Sequence, residues 1–97
     1  MTILKSEAKL IAVRDAAKVN IDNLIEWHRG RIKEIDAGHQ YYKAGVNITT
    51  EMRLRHGREI SMCEAVKAAM DHMKAGDIQR AAKLCSEIQG QLPSLAI

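Results

Sequence analysis

From Leu4 to Tyr42 the chain carries Leu4, Ala8, Ile11, Ala17, Ile21, Leu24, His28, Ile32, Ile35, His39 and Tyr42 at mostly three- and four-residue steps, with no proline among them. Side chains so spaced share one face of an α-helix, and the run predicts a single amphipathic helix over about residues 3–43. At 1.5 Å per residue that helix would be roughly 57 Å long. Nothing else in a chain of 97 residues can match it. The remainder has to fold back on the long helix and cover as much of its stripe as it can reach.

Gly30 and Gly38 fall inside this pattern. Each costs about 1 kcal/mol relative to alanine in a helix interior. Because the stripe resumes at Ile32, Ile35 and His39, both read as a bend or a close approach rather than a stop. The stop is expected at Ala44–Thr49, where Gly45 suits a helix C-cap, Asn47 a turn, and Thr49 or Thr50 the next N-cap ahead of Glu51. A second helix over about 50–75 follows from Met52, His56, Ile60, Cys63, Val66, Met70 and Met73. The capping-box form of Ser61-Met62-Cys63-Glu64 offers a competing break near 57–61. Gly76-Asp77 then reads as the end of one helix and the cap of the next, a third helix over about 77–89 with Ile78, Ala81, Ala82, Cys85 and Ile88 inward. Gly90 and Pro93 end it, ahead of Leu92, Leu95, Ala96 and Ile97. No strand-like alternation and no internal repeat appear. The expected fold is all-α: residues 1–97 as a single helical domain, a bundle in which the long N-terminal helix packs against a two-helix C-terminal hairpin.

With no Phe, and only Trp27, Tyr41 and Tyr42 aromatic, the core has to be built from small and aliphatic residues, which suits closely approaching helices. Cys63 and Cys85 both fall on apolar helical positions and read as buried free thiols of a reducing compartment. Lys5, Glu7 and Lys9 interrupt any signal-like apolar start, and no apolar run is long enough to span a bilayer, so a cytoplasmic location and no membrane partner are expected.

The three helix lengths do not match. An antiparallel second helix would cover the C-terminal two-thirds of the first, setting Ile32 and Ile35 near Ile60, and the third would turn back toward the middle. Leu4, Ala8, Leu10, Ile11 and Val13 are then left short of cover, and an exposed apolar stripe of that kind marks an interaction surface. A homodimer through this half of the helix, or a docking site for another protein, is the expectation. Trp27, Tyr41 and Tyr42 could anchor a partner or close the end of the bundle.

Net charge is +3, with 15 basic and 12 acidic residues interspersed. Two basic clusters stand out, Arg29, Arg31 and Lys33 beside His28, and Arg53, Arg55 and Arg58 beside His56. Antiparallel pairing brings them to one end, where together they could meet phosphates or an acidic protein face. Glu26, Glu34, Glu51 and Glu59 flank them, so a solvated, ion-paired helix face is the competing reading. No arrangement of catalytic residues is evident. Cys63 and Cys85 have no adjacent cation to activate a thiolate, and His28, His39, His56 and Cys63 supply no two ligands from one helical turn, so neither metal nor cofactor is expected.

Two likenesses bear on this. Lys74-Ala75-Gly76-Asp77, with Ala81 four residues after the aspartate and Pro93 beyond, resembles the second half of one tetratricopeptide repeat, which would imply a protein-binding scaffold; the aromatic and Leu-Gly pattern of the repeat's first helix is missing. The order of one very long helix and two shorter ones also looks like the small all-helical chorismate mutases, which are intertwined dimers. That resemblance would give Arg14, Arg31, Lys43, Arg58 and Glu59 roles around a dicarboxylate, but aligning Ile21-Asp22 with the family's Leu-Asp pair puts Ile32, not Arg31, at the second arginine. The leading expectation is a non-enzymatic helical protein-binding module, dimeric, acting as adaptor, regulator or inhibitor of a larger complex, of the kind phages and mobile elements encode. A basic nucleic-acid-binding protein is the alternative, and a chorismate-mutase-like dimeric enzyme a distant third.

Overall fold

The computed structural model describes residues 5–91. Three helices account for most of them: α1 over Lys5–Asp36, α2 over Thr49–Ala69 and α3 over Ala75–Gln91. A single 3₁₀ turn, Met70–His72, follows α2, and a two-stranded hairpin, β1 (Tyr42–Lys43) and β2 (Val46–Asn47), joins α1 to α2. The molecule is a rod of 59 × 22 × 18 Å. The long N-terminal helix packs against the two later helices, as the apolar stripe requires.

The long helix stops before the stripe does. Gly38 adopts φ +105°, which a residue with a Cβ avoids. The amide of His39 donates to the Glu34 carbonyl and that of Gly38 to the Ile35 carbonyl, each at 3.0 Å. This is a Schellman termination, and it places His39 and Tyr42, both exposed, outside the helix. The residues between helices then form a β-hairpin that the absence of strand alternation did not foretell. Tyr42 pairs with Asn47 and Lys43 with Val46. Ala44 and Gly45 make the reversal with φ of 51° and 79°. Positive φ at both central residues is the turn whose twist matches paired strands, so Gly45 serves the hairpin and not a helix end.

A chain of hydrogen bonds joins the hairpin to α2. The Tyr41 amide donates to Thr49 Oγ1 at 2.9 Å, and that hydroxyl donates to Asn47 Oδ1 at 2.6 Å. Asn47 Oδ1 also accepts the Thr49 amide at 3.0 Å, so the start of α2 is capped from Asn47 and not by a threonine hydroxyl. From there α2 continues through Gly57 without a break. Its end lies at Ala69 and the 3₁₀ turn, and the chain reverses at Met73, whose backbone is extended at φ −101°, ψ 151°. Gly76 and Asp77 therefore sit inside the first turn of α3 and do not form the boundary their pairing suggests.

The core runs along the rod. Ala17, Ile21, Leu24 and Ile25 of α1 meet Cys63 of α2, Met70 of the 3₁₀ turn, and Ile78 and Cys85 of α3, with Ile60, Val66, Met73, Ala81 and Ala82 packed around them. Lys67–Asp22 and Lys18–Asp71, both 2.6 Å, and Arg53–Asp36 at 2.9 Å follow the antiparallel α1–α2 seam. The glycines separate two effects that sequence alone confounds. Gly30 and Gly38 both have open space where a Cβ would go. Gly30→Ala should then stabilise the fold by about 0.5–1 kcal/mol through helix propensity, while Gly38→Ala should destabilise it by about 1–2 kcal/mol through strain at positive φ. Urea midpoints moving in opposite directions at unchanged slope would show this; shifts of the same sign would refute the assigned helix end.

Candidate functional site

The stripes of α1 and α2 meet at two histidines. His28 and His56 are 1% and 0% exposed, and their Nδ1 atoms lie 2.8 Å apart. Trp27 turns a ring edge toward both, at centroid distances of 5.0 Å from His28 and 5.6 Å from His56. Tyr41, 1% exposed, closes the other side of His56 at 6.1 Å. Above Trp27, at 5.1 Å, lies the Arg31 guanidinium, which also bonds Glu34 at 2.9 Å. Local structure explains the gathering: His28 and His56 are stripe positions, and Tyr41 is pulled inward because Thr49 holds its amide and the Ile48 amide holds its carbonyl at 2.9 Å.

Burial dominates the electrostatics. It lowers the pKa of His28, and it lowers that of His56 to about 4, with the nearby positive charge of His28, Arg31 and Arg55 adding to the effect. Near neutral pH the pair is uncharged, and one Nδ1–H donates to the other ring. His56 Nε2 is buried with no hydrogen-bond partner. Burial likewise pushes the Tyr41 hydroxyl up, and the Cys63 thiol up to about 12, with Cys85 raised for the same leading reason. Both thiols are buried among apolar side chains. Protonated and enclosed, they are poor nucleophiles.

Of the histidines, His28 and His56 come together, while His39 is exposed beyond the end of α1. Among the described residues, no group of three or more His, Cys, Asp or Glu side chains is arranged to hold a metal ion.

The basic clusters do reach the same end of the rod, but their side chains are largely spent on neighbours. Arg29 bonds Glu26 at 2.7 Å and Glu64 at 3.3 Å, Arg31 is held by Glu34 and Trp27, and Arg53 grips both oxygens of Asp36 at 2.9 and 3.2 Å. The Arg53 guanidinium holds the Asp36 carboxyl below its usual range. Lys33, Arg55 and Arg58 have no ion-pair partner among the described residues.

At the far end, Arg14 donates through Nε to the Met70 carbonyl at 3.0 Å and through Nη2 to that of Asp71 at 3.4 Å. Past it, Ser6, Glu7, Ala8 and Lys9 are exposed, as are Ile11 and Ala12. Ile11 is 44% exposed and Val19, two turns on, 58%. Val13 and Leu10 are half-buried against the core. Leu4 lies outside the described residues. Trp27 and Tyr41 belong to the imidazole cluster, and only Tyr42 of the three aromatics is exposed. Arg14 lies in the N-terminal half of α1 and Lys43 in the hairpin beyond its C-terminal end, so the five residues suggested by the mutase likeness do not converge within one chain.

The chain matches no protein-family model, no curated protein and no solved structure. Neither the repeat-like segment nor the mutase-like helix order gains support, and the first loses its physical basis because Gly76-Asp77 is not a turn.

The histidine pair makes a direct prediction. Replacing His28 or His56 singly with leucine leaves the partner nitrogen buried and unsatisfied, at a cost of about 1–3 kcal/mol beyond any repacking. The His28→Leu/His56→Leu double variant should be more stable than the sum of the singles implies, by at least about 1 kcal/mol in a denaturation cycle. Additive losses would show that the two rings do not bond.

Proposed function

We propose that this chain is a helical protein-binding module whose recognition surface is the outer face of the N-terminal half of α1, and that a second copy of the chain occupies it. The observation that carries this reading is that α1 outruns its cover. The 3₁₀ turn after α2 ends the cover where Arg14 donates to the Met70 and Asp71 carbonyls, and beyond that point Ala8, Ile11 and Ala12 face water, with Val19 exposed further along. Small residues among larger apolar ones let a second helix approach closely, and an isologous pairing would cover the same stripe on both copies. Role as an adaptor, regulator or inhibitor of a larger complex is the broader proposal within which this assembly fits.

Two further features support a binding role over chemistry at the paired groups. The cysteines are enclosed and protonated, and the imidazole pair is sealed behind Trp27 and Tyr41. Nucleic-acid binding is the second reading, favoured by Lys33, Arg55 and Arg58 standing without acidic partners among the described residues. Retention of duplex or single strands on a filter at low salt, with a steep salt slope, would favour it; no retention would end it.

For the leading proposal, Ile11→Glu places a charge in the stripe at a position the monomer does not bury. Light scattering should show the wild-type chain as a dimer and the variant as a monomer, with helicity by circular dichroism unchanged. A wild-type chain that stays monomeric at high concentration, or a variant that still dimerises, would refute it.

A further inference from the structure

The imidazole pair fixes its own proton inventory. Two neutral rings carry two N–H groups between them, and the 2.8 Å Nδ1–Nδ1 contact holds one of these. If His56 were the acceptor, its own proton would sit on Nε2, which is buried and faces no acceptor. As the donor, His56 leaves only a bare nitrogen lone pair there, the cheaper of the two unsatisfied groups. His56 is thus the Nδ1–H tautomer and His28 the acceptor. A third proton must put an N–H on His56 Nε2 whichever ring it enters, because the Nδ1–Nδ1 contact has room for one only. A fourth sets two N–H groups head to head.

We propose that the His28–His56 bond is a one-tautomer latch between α1 and α2, and that added protons open the hairpin end of the rod while the opposite end stays folded. The surroundings work in the same direction. On α1, Arg31 lies near the pair, with its charge shared by Glu34; on α2, Arg55 adds positive charge, and Glu59 stands one turn from His56. The hairpin side contributes neutral Tyr41. The charged Lys83 and Glu87 of α3 are exposed and turned toward each other. Glu59 Oε2 is buried without a hydrogen-bond partner, but neither it nor any other carboxylate bonds either ring among the described residues, so an imidazolium formed here has no counterion in contact. At the other end, Ala17, Ile21, Met70 and Ile78 form an apolar cluster with no histidine or carboxylate among them; Glu59 acts beside Cys63 and Cys85 instead.

The linkage has a definite sign. The pair binds fewer protons folded than unfolded, so its contribution is complete above the ordinary histidine value of 6.5 and is lost as pH falls toward about 4. Trp27 is the chain's one tryptophan and touches both rings, so it reports on the latch directly. In the full chain, Trp27 emission should change with a midpoint between pH 4 and 6.5 before helicity at 222 nm falls. Imidazole ¹⁵N spectra at pH 7.5 should show His56 protonated on Nδ1. In His56→Asn the side-chain amide keeps a donor near the Nδ1 position but cannot be charged, and the emission change should vanish. A flat wild-type profile, emission and helicity falling together, a transition retained in His56→Asn, or an Nε2–H tautomer at His56 would each overturn the proposal. Should His56→Asn fail to fold, the wild-type tautomer and the order of the two wild-type transitions decide alone.

Discussion

The register of this bundle rests on one buried hydrogen bond. Aliphatic stripes such as Ile21, Ile25 and Ile60 can pack one turn out of step at modest cost, because one methyl contact resembles the next. Two imidazoles in an apolar seam cannot, since sliding α2 by a turn would leave both Nδ1 atoms buried and unpaired. The surface pairs Lys67–Asp22, Arg53–Asp36 and Lys18–Asp71 are compatible with one register only. Each contributes little alone, being exposed to solvent, so they follow the register that the histidines set.

From that bond the two ends of the rod diverge in character. The hairpin end is closed by directional contacts: the Schellman bonds at Gly38, the Tyr41–Thr49–Asn47 chain, and Trp27 wedged between Arg31 and the imidazoles. The opposite end is held by packing around Met70 and Ile78 and by Arg14. Directional contacts specify one geometry, while packing depends on the area buried. One short chain thus combines a directional end with a packed one; under the proposals above, the first responds to its medium and the second binds.

Much of this was legible in the residues. The core faces of all three helices, from Ile21 and Leu24 through Cys63 and Met70 to Ile78 and Cys85, are the periodic positions, because burial selects apolar side chains wherever helices touch. Helix ends were harder. His39 and Tyr42 continue the three-four spacing past Asp36 by coincidence, and the signal that decides is Gly38, whose backbone freedom looks the same in a sequence whether it is used or not. Gly76-Asp77 errs the other way, a good turn dipeptide absorbed into α3 because Met73 had already reversed the chain. His28 and His56 were visible as stripe positions, but their pairing depends on a register of one turn, and the expected opposition of Ile32 and Ile35 to Ile60 differs from the observed seam by about that much. The basic clusters were placed at the right end, yet their partners, Glu64 for Arg29 and Asp36 for Arg53, come from register as well.

Arg14 also shows why the N-terminal reach of α1 invites an explanation. A helix C-terminus leaves carbonyls without intrahelical donors, and here the guanidinium of α1 donates to the Asp71 carbonyl and shares the Met70 carbonyl with the Met73 amide. Everything α2 and its 3₁₀ turn need from α1 is supplied by Arg14, Lys18 and the core positions that follow, and α3 takes its share through Val13, Ala17 and Leu10. The turns of α1 before Leu10 make none of these contacts among the described residues, yet each ordered residue there costs about 1–2 kcal/mol of backbone entropy. Helical bonds alone offset that poorly in so short a stretch. A surface that receives cover from a second helix would offset it, and the apolar residues at Ala8, Ile11 and Ala12 are of the kind such cover requires.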